Sequence, residues 1–133
     1  MAAFEFDLDR CFPYDYAAAR STFLKSVAGT GAALESYSYG IPGPAGEELA
    51  TDVALLGSPD ASNVLVLVSG THGVEGLPGS GLLVAQVQSG LSAASHSDLA
   101  IMLVHALNPY GVASKRRVNE DNVDLNRNFA TFP

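Results

Sequence analysis

The sequence predicts an α/β fold, and two apolar runs with a glycine-rich loop and a helical stretch between them predict it. Asn63 to Ser69, NVLVLVS, is a β-branched and leucine run without polar alternation, the pattern of a strand covered on both faces. It is expected to be the central strand. Leu99 to Leu107, LAIMLVHAL, reads as a second buried strand. Between them lie Gly70 to Gly81 and then LLVAQVQSGL, which has helical spacing and a glycine near its end. The order strand, loop, helix, strand is a βαβ unit, so its two strands should be parallel neighbours in a largely parallel sheet.

The segments before this unit read in order. Pro13 to Gly29, PYDYAAARSTFLKSVAG, predicts a packing helix with proline at its entry, Tyr16, Phe23 and Val27 near one face, and glycine at its exit. Leu34 to Tyr39 alternates as LESYSY, GIPGPAGEE reads as a turn, and Leu49 to Leu56 resumes an apolar pattern. Those two runs fit an antiparallel hairpin. No internal repeat, low-complexity stretch or linker interrupts the chain, so residues 1–133 are expected to form a single domain.

Composition narrows the partners. With 133 residues, 47% of them hydrophobic and 16% charged, the chain matches ordinary globular proteins. Seven Lys and Arg against fourteen Asp and Glu give a net charge of -7, which argues against binding nucleic acid, where affinity comes from clustered cations. A lone cysteine, Cys11, forms no internal disulfide and supplies no cysteine-rich zinc cluster, which suits a reducing compartment. MAAFEFDLDR carries acids where a signal peptide carries bases, and Val64 to Val68 is too short to span a bilayer. The expectation is a cytoplasmic protein with no membrane partner; the sequence does not specify an oligomeric state.

The loop after the first buried strand leaves the sheet where ligands bind in open α/β folds. It lacks the Gly-Lys-Ser/Thr ending of a phosphate-binding loop and fits the dinucleotide fingerprint poorly. Ser80, inside Pro78-Gly79-Ser80-Gly81-Leu82, lacks the G-x-S-x-G spacing of a nucleophile elbow. There remain His72 and Glu75, three apart at the strand exit. An imidazole nitrogen and a carboxylate oxygen at that spacing can converge on one ion. The plainer reading is a loop histidine and an acid favoured by the helix dipole.

A second constellation follows the second buried strand: the turn Asn108-Pro109-Tyr110-Gly111, then Lys115, Arg116, Arg117 and Asn119, then Val123-Asp124-Leu125-Asn126-Arg127-Asn128-Phe129. Four of the seven Lys and Arg fall here: Lys115, Arg116, Arg117 and Arg127. In an acidic chain this is a local positive site suited to a carboxylate, or else a solvated basic turn. His105 reads as a core histidine and His96 as a loop residue.

Gly70-Thr71-His72-Gly73-Val74-Glu75-Gly76, Asn108-Pro109-Tyr110-Gly111 and Val123 to Phe129 together resemble the zinc carboxypeptidase superfamily, in particular its bacterial branch near the succinylglutamate desuccinylases and aspartoacylases. The three motifs occur in the right order over Ser69 to Phe129. The resemblance implies a three-layer α/β/α fold with a mixed, largely parallel central sheet and a Zn2+ cofactor. It implies His72 and Glu75 as two zinc ligands, and Asp124 as the carboxylate that holds the His72 imidazole. Asn126 and Arg127 would bind a substrate carboxylate. Arg117 would stabilise the oxyanion, with Arg116 the alternative because the register within the pair is open.

The substrate so implied is a peptide or small molecule with a free carboxylate, cleaved at an adjacent amide by zinc-assisted attack of water. Deacylation of N-acyl amino acids is the alternative within this chemistry, and a non-catalytic carboxylate-binding domain is the alternative outside it. The superfamily's third ligand, a histidine, and its general-base glutamate are expected beyond Pro133, so the chain is expected to be the N-terminal part of a longer domain, weak in zinc binding and inactive by itself.

Overall fold

The computed structural model describes residues 8–91 and 98–128. His96 and Phe129 lie outside the described residues. A 3-10 turn, Leu8–Cys11, leads into helix α1 (Tyr16–Ala28), strands β1 (Ala33–Pro42), β2 (Glu48–Leu56) and β3 (Asn63–Val68), helix α2 (Gly73–Gln88), strand β4 (Leu99–His105) and a short helix α3 (Pro109–Ser114). No helix among the described residues is long and apolar enough to cross a bilayer.

Local chemistry explains α1. Asp15 sits in an extended conformation and its side chain accepts a hydrogen bond from the Ala18 N–H at 2.8 Å, which caps the first turn. Tyr16, Ala19, Phe23 and Val27 recur at helical spacing and are all buried. Phe23 and Val27 meet α2 and the sheet in one core with Ala54, Leu56, Leu83, Val84, Ile101 and Leu103, and Tyr16 packs in a second with Leu49, Ala106 and Val112.

The four strands form a mixed α/β sheet in the order β1-β2-β4-β3. As expected, β1 and β2 make an antiparallel hairpin, and β3 and β4 are parallel neighbours, with Leu65 opposite Ile101 and Leu67 opposite Leu103. Two expectations need correction. The described sheet is not largely parallel, because β4 also pairs antiparallel with β2. Nor is β3 central: it lies at the edge, and Val64, Leu65, Val66 and Val68 are about half exposed. β2 and β4 hold the interior places, and their alternate residues Asp52, Ala54, Leu56 and Ile101, Leu103, His105 are buried. Residues of α1 and α2 join Ala54, Leu56, Ile101 and Leu103 of this face in one core, so the mixed sheet is flanked by helices as the α/β expectation has it.

Helix α2 also begins earlier than its sequence suggests. It starts at Gly73 and absorbs Gly76, Pro78, Gly79 and Gly81, all expected in a loop. The glycines among them are needed because the helix is pressed against its neighbours. A Cβ at Gly76 would lie 2.5 Å from Val112 Cγ2, and one at Gly81 would lie 2.3 Å from the Phe12 ring.

A polar array that no local pattern announces reaches from the buried Asp52, Ser80 and His105 to the exposed Ser36. Arg20 Nε donates to Asp52 Oδ2 at 2.9 Å, Ser36 Oγ donates to Asp52 Oδ1 at 2.5 Å, and Ser80 Oγ lies 2.9 Å from His105 Nε2. His105 Nδ1 is 3.8 Å from Asp52 Oδ2, too long for a hydrogen bond, and the ring stacks on Phe23. Ser80, His105 and Asp52 are 1%, 1% and 0% exposed, so this serine, histidine and aspartate have no access to a substrate.

Burial holds the His105 pKa down to about 4, with the Arg20 charge adding and the Asp52 charge opposing. A histidine whose pKa is lower folded than unfolded stabilises the fold fully above its ordinary value near 6.5 and progressively less as pH falls from there towards 4. The expected loss is about 1.4 kcal/mol per pH unit at most within that window. Urea unfolding at several pH values, with His105→Gln as the reference, checks it. Equal pH slopes for the two proteins between 6.5 and 5 would contradict the assignment.

Candidate functional site

Strands β3 and β4 stay laced together past their ends. Leu107 N–H donates to Ser69 O at 3.0 Å and Asn108 N–H to Gly70 O at 2.8 Å. Gly70 has a φ of +72°, and a Cβ there would come 2.8 Å from the Ala106 Cα, so the exit turn requires glycine. His72 follows in an extended conformation at the N-cap of α2, and its side chain makes no capping hydrogen bond. It is therefore available for another contact. Gly73 N–H donates to the Arg116 carbonyl at 3.0 Å, and Glu75 stands in the first turn of the helix.

The opposing wall is built by two side-chain caps. Asn108 Oδ1 accepts from the Gly111 N–H at 2.8 Å and starts α3, which ends at Lys115 in the left-handed region. Asn119 Oδ1 then accepts from the N–H groups of Asp121 and Val123 at 3.1 and 2.8 Å, closing a turn whose Asn122 has a φ of +63°. That turn delivers Asp124. Arg116 Nη2 donates to Asn122 Oδ1 at 3.0 Å, and the Tyr39 hydroxyl of β1 donates to Glu120, which ties the loop to the hairpin.

The side chains of four sequence-predicted residues and the backbone of a fifth meet here. His72 Nε2 lies 2.9 Å from Asp124 Oδ1, and His72 Nδ1 lies 3.8 Å from Glu75 Oε1. Arg117 Nε donates to Asp124 Oδ2 at 2.8 Å, and the Asn126 N–H donates to Asp124 Oδ1 at 2.9 Å. The Arg117 hydrogen bond is the main cause that lowers the Asp124 pKa to about 2; desolvation opposes it, while the His72 and Asn126 hydrogen bonds assist. Asp124 is thus a carboxylate at any working pH and accepts hydrogen bonds only. A neutral His72 then carries its proton on Nε2, and the Nδ1 lone pair faces Glu75.

Asn126 and Arg127 behave differently. Both are exposed, and Arg127 donates from Nη1 to the Asn126 carbonyl at 3.0 Å. The local cations are also interleaved with Glu120, Asp121 and Asp124, and Arg117 is engaged by one of these. Among the described residues no group of three or more His, Cys, Asp and Glu side chains gathers as a metal set. His72 and Glu75 offer one nitrogen and one oxygen, a donor pair whose chemistry suits zinc and which is short of the three protein ligands of a catalytic site. His105, the other described histidine, is occupied in the core.

Sequence reading missed two features of the site. Gly73 and the Arg116 carbonyl form a backbone contact that only coordinates display. Asn108 was seen as a turn residue, yet it is 1% exposed and its Nδ2 has no hydrogen-bond partner among the described residues.

Comparison with known proteins gives a likeness of fold. A glutaminyl cyclase of Tannerella forsythia matches with a TM-score of 0.51 and 15% identity, over 90% of this chain and 54% of that one. One from Fimbriiglobus ruber matches with a TM-score of 0.50 and 14% identity, over 79% and 46% of the two chains. A Zn-dependent exopeptidase of Parabacteroides distasonis matches with a TM-score of 0.45 and 13% identity, over 83% and 50%. The chain spans about half the length of these structures. No curated protein matches it. The family model described as "Protein of unknown function (DUF2817)" matches residues 12–133, so the chain belongs to that family.

Proposed function

We propose that this chain carries part of the active site of a zinc-dependent hydrolase acting on an amide or peptide bond next to a carboxylate, with His72 and Glu75 as two of the metal ligands. One observation carries the reading: His72 is held from Nε2 by Asp124 while Nδ1 faces Glu75 Oε1 at 3.8 Å. A ligating histidine is normally oriented this way, by a carboxylate on its other nitrogen. The chemistry zinc supplies when bound is polarisation of the carbonyl under attack and acidification of water.

The chain's own residues take the remaining parts. Asn126 and Arg127, exposed beside Asp124, are suited to receive the substrate carboxylate, since a guanidinium offers a planar pair of donors to two oxygens. The Nη groups of Arg117 are suited to meet charge developing on the carbonyl oxygen. A third donor and the general base come from outside the described residues. Removal of an acyl group from an N-acyl amino acid uses the same contacts, and the two substrate classes share this site. A non-catalytic carboxylate-binding role is the second reading; it needs only the exposed Asn126 and Arg127 beside Asp124.

The expected outcome for the 133-residue chain is weak zinc binding that His72→Ala abolishes, and no turnover of C-terminal or N-acyl amino-acid substrates. Missing the general base alone lowers the rate by about 10² to 10⁴. Zinc titration by competition with a chromophoric chelator, alongside a hydrolysis panel, decides it. Zinc affinity unchanged by His72→Ala would overturn the ligand assignment.

A further inference from the structure

Arg117 entered the sequence reading as a group facing substrate, but the structure uses its Nε on Asp124. We propose that Arg117 is a positioning residue for His72: through Asp124 it fixes which imidazole nitrogen is left open towards Glu75. The inference rests on the metal site proposed above for its purpose, though not for its geometry.

Each oxygen of Asp124 has its own work. Oδ1 accepts from the Asn126 N–H at 2.9 Å and meets His72 Nε2 at 2.9 Å, and Oδ2 accepts from Arg117 Nε at 2.8 Å. Gripped at both oxygens, the carboxylate cannot turn about its Cβ–Cγ bond. With Oδ2 released, only the Asn126 N–H and His72 itself would restrain it, at the surface, where water competes for both oxygens. The imidazole would then lose the fixed acceptor that keeps its proton on Nε2.

The backbone beside Arg117 holds the same loop from a second side. The Arg116 carbonyl accepts the N–H of Gly73, the residue after His72, at 3.0 Å. Residues 116 and 117 therefore hold the backbone just after the histidine through one contact and, through Asp124, its ring by the other. Arg116 itself points elsewhere, donating to Asn122 Oδ1 at 3.0 Å. This separates the two arginines whose register the sequence leaves open.

The test is the tautomer of His72 in the metal-free 133-residue chain, read from the ring-nitrogen shifts and couplings of a ¹⁵N-labelled sample. In the wild type His72 should be almost wholly the Nε2–H form. Arg117→Gln should move it towards a mixture of tautomers and weaken zinc binding by roughly 10-fold, the lower end of the range for outer partners of a ligating histidine. Arg117→Lys, which keeps a cationic donor, should restore part of both, and Arg116→Gln should change neither. The Arg117 side chain is half exposed, so an unaltered amide spectrum elsewhere is expected to show that the variants fold. A wild-type tautomer in Arg117→Gln overturns the inference. If the tautomer shifts as expected while the wild-type chain binds no zinc, the positioning role stands and the metal reading fails.

Discussion

Gly73→Ala is expected to cost at least about 4 kcal/mol of stability, or to prevent folding, although it adds a single methyl group. A Cβ at this position would lie 2.0 Å from the Gly111 carbonyl oxygen and 2.1 Å from that of Arg116. Both obstacles are backbone, so no rotamer change relieves the contact. Relief requires the first turn of α2 to separate from α3, breaking the Gly73 N–H to Arg116 O hydrogen bond and moving His72 away from Asp124. For a domain with about 5–15 kcal/mol of total stability that is a large share. Gly29→Ala is the control. Gly29 has a φ of -85° with nothing within 4 Å of its Cβ position, and its replacement should stay within about 0.5 kcal/mol of the wild type. Urea denaturation followed by circular dichroism measures both. A Gly73→Ala protein within about 1 kcal/mol of the wild type would mean that the loop and α3 are not in the close contact described.

The same glycines show where sequence reasoning reached and where it stopped. Helix α1 was legible because its signals are local: Pro13 at its entry, Tyr16, Phe23 and Val27 near one face and a closing Gly29. The β1–β2 hairpin was legible from alternation on either side of a glycine and proline turn. The start of α2 was not, since Gly73, Gly76, Pro78, Gly79 and Gly81 have poor helix propensity, and what puts them in a helix is close approach to α3, Ser69 and Phe12. β3 was misplaced for another reason. An apolar run reports that a strand can be covered on both faces, and its position in the sheet depends on partners that the run does not encode.

The site divides in the same way. His72, Glu75 and Asp124 could be singled out because their spacing and motif context survive in one dimension, and the structure brings the three side chains together. The hydrogen bond from Arg117 to Asp124 joins residues seven apart across an irregular turn, where many pairings are possible, and needed coordinates. So did the array of Arg20, Ser36, Asp52, Ser80 and His105, whose members come from α1, β1, β2, α2 and β4 and carry no common sequence signal.

That array supplies the second large effect. Asp52→Ala is expected to cost about 3–5 kcal/mol, the usual consequence of removing one member of a buried ion pair. Asp52 is fully buried and accepts from Arg20 Nε at 2.9 Å, Arg20 Nη2 at 3.2 Å and Ser36 Oγ at 2.5 Å. Without it the Arg20 guanidinium, only 17% exposed, keeps one carboxylate nearby, Glu48 at 3.6 Å, which is itself mostly in solvent. Ser36 and His105 Nδ1 lose their nearest acceptor as well. Asp52→Asn should cost less, because the amide keeps the shape and one acceptor oxygen. Arg20→Ala should cost as much as Asp52→Ala, since it strands the carboxylate in the core. The double variant Asp52→Ala, Arg20→Ala should therefore lose clearly less than the sum of the two single losses, each of which counts an unpaired charge that the double variant lacks. Urea midpoints for the four proteins give the coupling. Strict additivity would show that the pair acts as two independent groups, and would remove the ionic explanation for why this strand tolerates an aspartate in its core.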